Sequence, residues 1–338
     1  MFLTISRLSL VFLSITVAHL GAEPMQWPTP YPSDALAVGD LDWGQPTISG
    51  RQISATFGCV RNEGAKFHEG LDIRPYLSRR NGEATDAVSA AWAGEVVYIN
   101  RRSATSSYGH YVVVEHDQFS PAVVTLYAHL ATIDSKLKIG SQLRAGSRIG
   151  KMGRSAGGYT IPKQRAHLHF EIALRLSDGF QAWYDVRKFG NENDHSIWNG
   201  MNLVGLDPWA AWHWLKENPT RDIGDYTRTL MPGFIMEIVT SDTPDIVERY
   251  PSLLTKPVPA GGLKGWRIIF TGWGFPLSFS PLAEAGAKQA GTATILAINS
   301  SELERWACRD LLDKKGGFTS LSERGASIIE LIFVGDIR

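Results

Sequence analysis

Residues 166–176 read AHLHFEIALRL. Alternate side chains on an extended chain share a face, so His167, His169 and Glu171 point one way while Leu168, Phe170 and Ile172 point the other. The apolar set belongs to a core. Both histidines are left on the opposite side, in a groove or in solvent. Two imidazoles side by side on a strand are a frequent metal arrangement and are also tolerated at a surface, so this segment alone does not choose between them.

The same texture extends towards the N terminus. Short β-branched and apolar runs alternate with glycine turns in AVSAAWAGEVVYIN (87–100), GHYVVVEHDQ (109–118), AVVTLYAHL (122–130) and LRAGSRIGKMG (143–153). Many short strands at this spacing predict a mainly β fold, an antiparallel β-sheet or β-sandwich-like domain and not an alternating βαβ one. The domain is expected to span 48–216. It closes on a tryptophan-rich helix in GLDPWAAWHWL (205–215) that packs back on the sheet.

Residues 220–338 differ in character and predict a smaller C-terminal α+β domain of unassigned role. They hold a strand-like GWRIIFTGWGFPLSF (265–279), an alanine-rich PLAEAGAKQAGTATILAIN (281–299) and a helix over SSELERWACRDLLDKK (300–315). Ser300 or Ser301 is the expected cap of that helix, with a glutamate in its first turn. The final ASIIELIFVGDI (326–337) is expected to be a strand.

At the other end, residues 1–22 carry Arg7 and then an apolar run from Leu8 to about Ala18, too short to span a bilayer. This predicts a signal peptide cleaved after Ala22, no stable membrane span afterwards, and a periplasmic or secreted protein. Pro24, Pro28, Pro30 and Pro32 predict an extended linker over 23–47. The 34 basic and 34 acidic side chains balance, which gives no basis for nucleic acid or an anionic membrane as the main partner. Cys59 and Cys308 are far apart in sequence and are expected to be unpaired thiols. Oligomeric state is not legible.

Chemistry concentrates in the β domain. FHEGLDIRP (67–75) sets His68 and Asp72 four residues apart around Gly70, on a loop running into a strand. Imidazole and carboxylate are both good zinc ligands, and a pair on one short segment loses little extra entropy when a metal closes it. A lone H-x-x-x-D is nevertheless common by chance. In TLYAHL (125–130), alternation puts Tyr127 and His129 on one face, which a satisfied histidine at a sheet edge also explains.

Taken together, FHEGLDI, VSAAWAGEVVYI, SYGHYVVVEH, TLYAHL, IGSQLRAGSRIGKMG and HLHFEI follow the order and approximate spacing of the lysostaphin-type, or LytM-like, zinc metallopeptidases. The chain resembles that family from about Phe57 to Glu171, and GLDPWAAW is similar to its closing segment. The resemblance implies a peptidase domain with an active-site groove and one zinc ion per chain, held by His68, Asp72 and His169. It makes His129 and His167 the unliganded catalytic pair. That division fits hydrolysis, which needs three protein ligands and one open position. One of the pair would take a proton from water and the other would stabilise the oxyanion or protonate the leaving amine; the sequence does not say which.

The substrate so implied is the peptide cross-link of bacterial peptidoglycan. Two alternatives are a non-catalytic envelope regulator or scaffold on the same fold, and an exported peptidase acting on glycine-rich proteins. The scaffold reading is weakened because all five site residues are present. GRSAGGYTIPKQRA (153–166) is longer than the family's usual segment and has Ala166 where proline is common. Its part from Tyr159 to Arg165 is expected to wall the cleft, with Arg165 and Lys163 available for substrate carboxylates. Tyr127 is a further candidate for a hydrogen bond to substrate. Asp194 and His195, in DVRKFGNENDHSIWNGMNLV (185–204), read as a polar surface loop, His116 as a structural sheet-edge residue and His110 as a rim residue.

Overall fold

The structure, a computed structural model, describes residues 24–284 and 289–334. The expected signal peptide lies outside these residues. From Gly58 to Leu206 the chain is mainly antiparallel β-sheet. A hairpin of β1 (Gly58–Arg61) and β2 (Lys66–His68) leads through a tight turn into β3 (Leu71–Ile73). A small sheet is ordered β4 (Ala87–Ser89), β10 (Arg148–Met152), β8 (Leu130–Ile133). The main sheet is ordered β12 (Leu203–Leu206), β11 (Leu168–Arg175), β7 (Val123–Ala128), β6 (Tyr111–His116), β5 (Gly94–Asn100), β9 (Gln142–Leu143). β3 joins it on the first half of β11.

Register decides what each face carries. His169 lies opposite Ala128 and Phe170 opposite Tyr127. One face therefore buries Leu168, Phe170, Ile172, Tyr127, Val112 and Val114, together with Ile149 and Met152 of the small sheet. The other face buries Tyr111, Val113, Val124, Leu126, Ala128 and Ala173 beneath Trp198 and Leu203. Trp198 comes from the segment between α1 (Phe180–Arg187) and β12, so that segment covers part of this face and is not a bare surface loop. His195 is buried there, with Nδ1 3.0 Å from the Tyr98 hydroxyl and Nε2 2.9 Å from the Thr105 carbonyl. Asp194 is exposed and pairs with Arg102. His116 is buried on a strand between two others, where Thr125 and the Ala93 carbonyl satisfy both ring nitrogens.

The proline-rich stretch expected as a bare linker is packed. Met25, Trp27, Leu36 and Trp43 are buried. Trp27 stands edge-on to Trp43, and also to Trp209 and Trp212 of α2 (Pro208–Glu217). The prolines favour an extended path, but the indoles bury too much apolar area to stay in water. Asp207 caps α2, accepting from the amides of Trp209 and Ala210.

The C-terminal part holds an antiparallel sheet ordered β15 (Pro276–Leu282), β14 (Gly265–Phe270), β13 (Phe234–Ile238), β16 (Ala293–Ile298). Around it lie α3 (Ile223–Thr227), α4 (Asp245–Arg249), α5 (Ser300–Arg305), the hairpin of β17 (Leu312–Lys315) and β18 (Phe318–Leu321), and α6 (Glu323–Ile332). Two expectations fail here. The helix from Ser300 stops at Arg305, and its cap is Asn299, whose side chain accepts from the Glu302 amide. The final segment is the helix α6: Ser322 accepts from the Gly325 amide, and Ile329 and Ile332, one turn apart, are buried. The cap and the helical spacing of the buried isoleucines prevail over the expected strand.

The cysteines, expected free, form the disulfide Cys59–Cys308. The join is prepared by packing, since Trp306 lies against Phe57, Phe67 and Gly58. A Cβ on Gly58 would stand 2.6 Å from that indole, and its φ of 108° is one that favours glycine. Trp273 Nε1 donates to the Gly205 carbonyl across the same boundary, and one apolar cluster runs through both parts.

Candidate metal centre

Three elements deliver the cluster. β2 ends on His68, β3 carries Asp72, and β11 pairs His169 directly with Asp72. The turn between β2 and β3 lies so close on β11 that a Cβ on Gly70 would fall 2.3 Å from the Phe170 carbonyl oxygen. That explains the glycine between His68 and Asp72. His68 Nε2 is 3.1 Å from both Asp72 Oδ1 and His169 Nδ1, and His169 Nδ1 is 3.0 Å from Asp72 Oδ1. All three residues are buried.

The outer nitrogens are held as a metal site requires. His68 Nδ1 donates to the Thr56 carbonyl at 2.7 Å, and His169 Nε2 donates to Glu171 Oε1 at 2.8 Å. Each bond places a proton on the outer nitrogen and turns the other nitrogen inward as a ligand. Glu171 is buried and also accepts from the Tyr108 hydroxyl at 2.5 Å. Two imidazole nitrogens and one carboxylate oxygen within 4.8 Å of one another suit a zinc-type ion with an open coordination position.

His129 and His167 stand beside this triad, their ring centroids 4.6 Å apart. His129 Nδ1 donates to the Ser155 carbonyl at 2.8 Å and His167 Nδ1 to the Arg165 carbonyl at 2.7 Å. Each therefore keeps an Nε2 lone pair, and that of His167 lies 3.5 Å from Asp72 Oδ2. Burial holds the His129 ring down at about 3 and lowers His167 as well, so both are neutral near pH 7. Burial opposes ionisation of Asp72, yet His167 and His68 keep its carboxyl well below the usual range. Burial likewise disfavours charge on His169, but Asp72 and Glu171 carry it up to about 10. A metal must displace that proton to bind.

His129 reaches the site against simple alternation. Its φ is 59°, in the left-handed region that non-glycine residues seldom occupy, and its amide donates to the Tyr108 carbonyl. The twist throws the imidazole to the side opposite Tyr127. Tyr127 is fully buried on the core face, its hydroxyl accepting from the Ala91 amide at 2.8 Å and bonded to Thr125, so it does not line the groove.

The groove over the triad is a cavity of about 430 Å³. Tyr159 to Pro162 and Arg165 form one wall. Among the described residues, the buried Nε of Arg165 has no partner. Lys163 is turned away, bonded to the Asn81 carbonyl and close to Glu83. His110 is half-buried, with Nδ1 3.2 Å from the Leu130 carbonyl. Arg61 of β1 was not singled out from the sequence. It donates to His68 Nε2 at 2.8 Å and pairs with Asp72 Oδ2. Glu171 was placed on the correct face but given no role, although its spacing from His169 was the available signal.

Residues 66–179, about a third of the chain, match the model of Peptidase family M23, the family that the motifs resemble. All five site residues, four histidines and one aspartate, fall inside the match, which starts after Phe57 and ends before GLDPWAAW. No curated protein matches the chain. Among solved structures, a protein of Ruminococcus gnavus described as a glycyl-glycine endopeptidase LytM is 20% identical, with 44% of this chain and 47% of that one covered and a TM-score of 0.30. The catalytic domain of lysostaphin from Staphylococcus simulans is 17% identical over 47% and 87%, TM-score 0.29. A zinc-containing peptidase of Vibrio cholerae is 24% identical over 39% and 36%, TM-score 0.27. The chain spans less than half the length of the first of these structures. Scores this low do not establish a shared fold; the family match covers residues 66–179.

Proposed function

We propose, from the premise that residues 66–179 are a peptidase family M23 domain, that the chain is an exported zinc metalloendopeptidase cleaving peptide cross-links of bacterial peptidoglycan. The observation that carries this reading is the convergence of His68 Nε2, Asp72 Oδ1 and His169 Nδ1 beside two neutral imidazoles in an open groove. Zinc held by those three would supply Lewis acidity towards a peptide carbonyl and a water molecule.

The chain's own residues supply the rest. His129 and His167 each have Nδ1–H committed to a carbonyl, so each can accept a proton at Nε2 and return it. One takes a proton from the water at Nε2 and returns it to the leaving amine; the other could stabilise charge developing on the carbonyl oxygen only with a proton on its own Nε2 in place of the lone pair. Burial keeps both rings neutral, which leaves those lone pairs available at neutral pH. Glu171 holds the His169 ring in place through Nε2, with Tyr108 holding Glu171. Arg165 would take a substrate carboxylate, a role its place in the groove wall supports.

Export is supported by the apolar stretch at residues 8–18 and by the disulfide, which persists in oxidising compartments. Among the described residues no helix is long and apolar enough to cross a membrane. The reading divides the chain into a peptidase unit over 48–216 and a second unit over 220–338, which the separate sheets support. Incubation with purified peptidoglycan, followed by mass analysis of released fragments, tests it. New amine and carboxyl termini at the cross-link are expected from the natural protein and not from His167→Ala; identical fragments from the two proteins would exclude the peptidase reading.

A further inference from the structure

A second cavity, about 850 Å³ against 430 Å³ over the triad, adjoins the metal groove. The two share the lining residues Lys66, Phe67, Glu69, Ser107 and Tyr108, so they lie side by side. The larger cavity is also lined by Trp183, Tyr184 and Phe189 and by Arg309, Arg324 and Ile328. All six lie outside the residues that match the peptidase family.

Its charge is unevenly matched. Lys66, Arg309 and Arg324 line it, and among the described residues none of them is in an ion pair. The acids on the wall are Glu69 and Glu192. Arg309 is fixed: Nε donates to the Trp273 carbonyl, and the guanidinium lies 4.7 Å over the Phe67 ring, next to His68. The neighbouring Cys308 is tied to β1 by the disulfide. Arg324 donates to the Cys308 carbonyl, which brings a second guanidinium to the same wall. Burial lowers the Arg309 pKa; the Glu69 carboxylate acts against this and the nearby Arg324 charge adds to it. Guanidinium groups favour carboxylates, which they bind through paired N–H donors.

We infer that the C-terminal part completes the substrate cleft, and that this cavity binds a carboxylate-bearing stretch of the peptide beyond the bond to be cut. The inference rests on the peptidase reading for its substrate, but the cavity is an anionic-peptide site in its own right. Adjacency to the metal groove and the excess of cations select this occupant. Trp183, Tyr184 and Phe189 offer apolar surface for the intervening chain.

The test uses full-length zinc-loaded protein and soluble cross-linked fragments from purified peptidoglycan, either with free carboxylates or with those carboxylates converted to amides. Cleavage kinetics and calorimetric binding are measured for the natural protein, Arg324→Glu, Arg324→Gln and Arg324→Lys. Arg324 is exposed, and circular dichroism checks that each variant is folded. For the natural protein, amidation should raise KM and Kd about tenfold with little change in kcat, the scale of one charge-assisted contact. Arg324→Glu and Arg324→Gln should lose that discrimination, and Arg324→Lys should restore part of it. Equal KM and Kd for both fragments, in natural and variant proteins alike, would overturn the inference while leaving the peptidase reading intact. Arg324-dependent binding of the acidic fragment without any cleavage would uphold the cavity and sink the peptidase reading.

Discussion

Tyr127 lies on β7 and His129 just past its end, two residues on, and they reach opposite sides of the sheet. Tyr127 lies opposite Phe170 on the core face, whereas the positive φ of His129 turns its imidazole to within 4.6 Å of His167. Alternation alone would have kept the two side chains together.

Tyr127→Phe should therefore leave kcat/KM unchanged while weakening the fold. The lost hydroxyl leaves the Ala91 amide without its acceptor, and an unpaired buried donor costs about 1–3 kcal/mol. Urea unfolding alongside peptide cleavage checks this. A large fall in turnover at unchanged stability would return Tyr127 to the groove.

What could be read from the sequence follows from how local each signal is. The strands from Ala87 to Arg175 were legible because alternation and glycine turns are short-range, and the register confirms the face given to Leu168, Phe170 and Ile172. His68, Asp72, His129, His167 and His169 were recognised as a set through their motifs, and the structure brings them together. The disulfide was not legible, since Cys59 and Cys308 meet only through the packing of Trp306 on Phe57 and Phe67. Nor was the burial of Trp27 and Trp43, which depends on two tryptophans of α2 more than 160 residues later in the chain. Arg61 was missed because a lone arginine on a strand gives no sign of what it will touch.

Glu171→Gln tests the support behind the triad. Glu171 is the acceptor for His169 Nε2, and losing a partner of this kind weakens metal affinity about 10–100-fold. Competition with a chromogenic chelator measures it. Unchanged affinity would mean that His169 is oriented by other contacts.

Replacing both Cys59 and Cys308 by serine should lower stability by about 2–5 kcal/mol. Reductant should produce a similar loss in the natural protein and no further loss in the double variant. Equal unfolding midpoints for the oxidised and reduced natural protein would contradict this.

Stability should also fall in mild acid through His116. Burial holds its folded pKa at about 4, below the 6.5 of the unfolded chain, so the unfolded state binds the extra proton between those values. The contribution is complete above about pH 6.5 and is lost as pH falls to about 4, on the order of 3 kcal/mol in all. Unfolding free energies across that range should climb less steeply with pH in His116→Gln than in the natural protein. Parallel curves would remove His116 from the explanation.

The central claim is that His169 holds a metal while His167, two residues away, works beside it. It is tested most directly by zinc content and peptidoglycan cleavage measured together on natural protein, His167→Ala and His169→Ala. His167→Ala should retain one zinc per chain and lose turnover, and His169→Ala should lose both. A His167→Ala protein empty of zinc, or a His169→Ala protein that keeps it, would contradict the account.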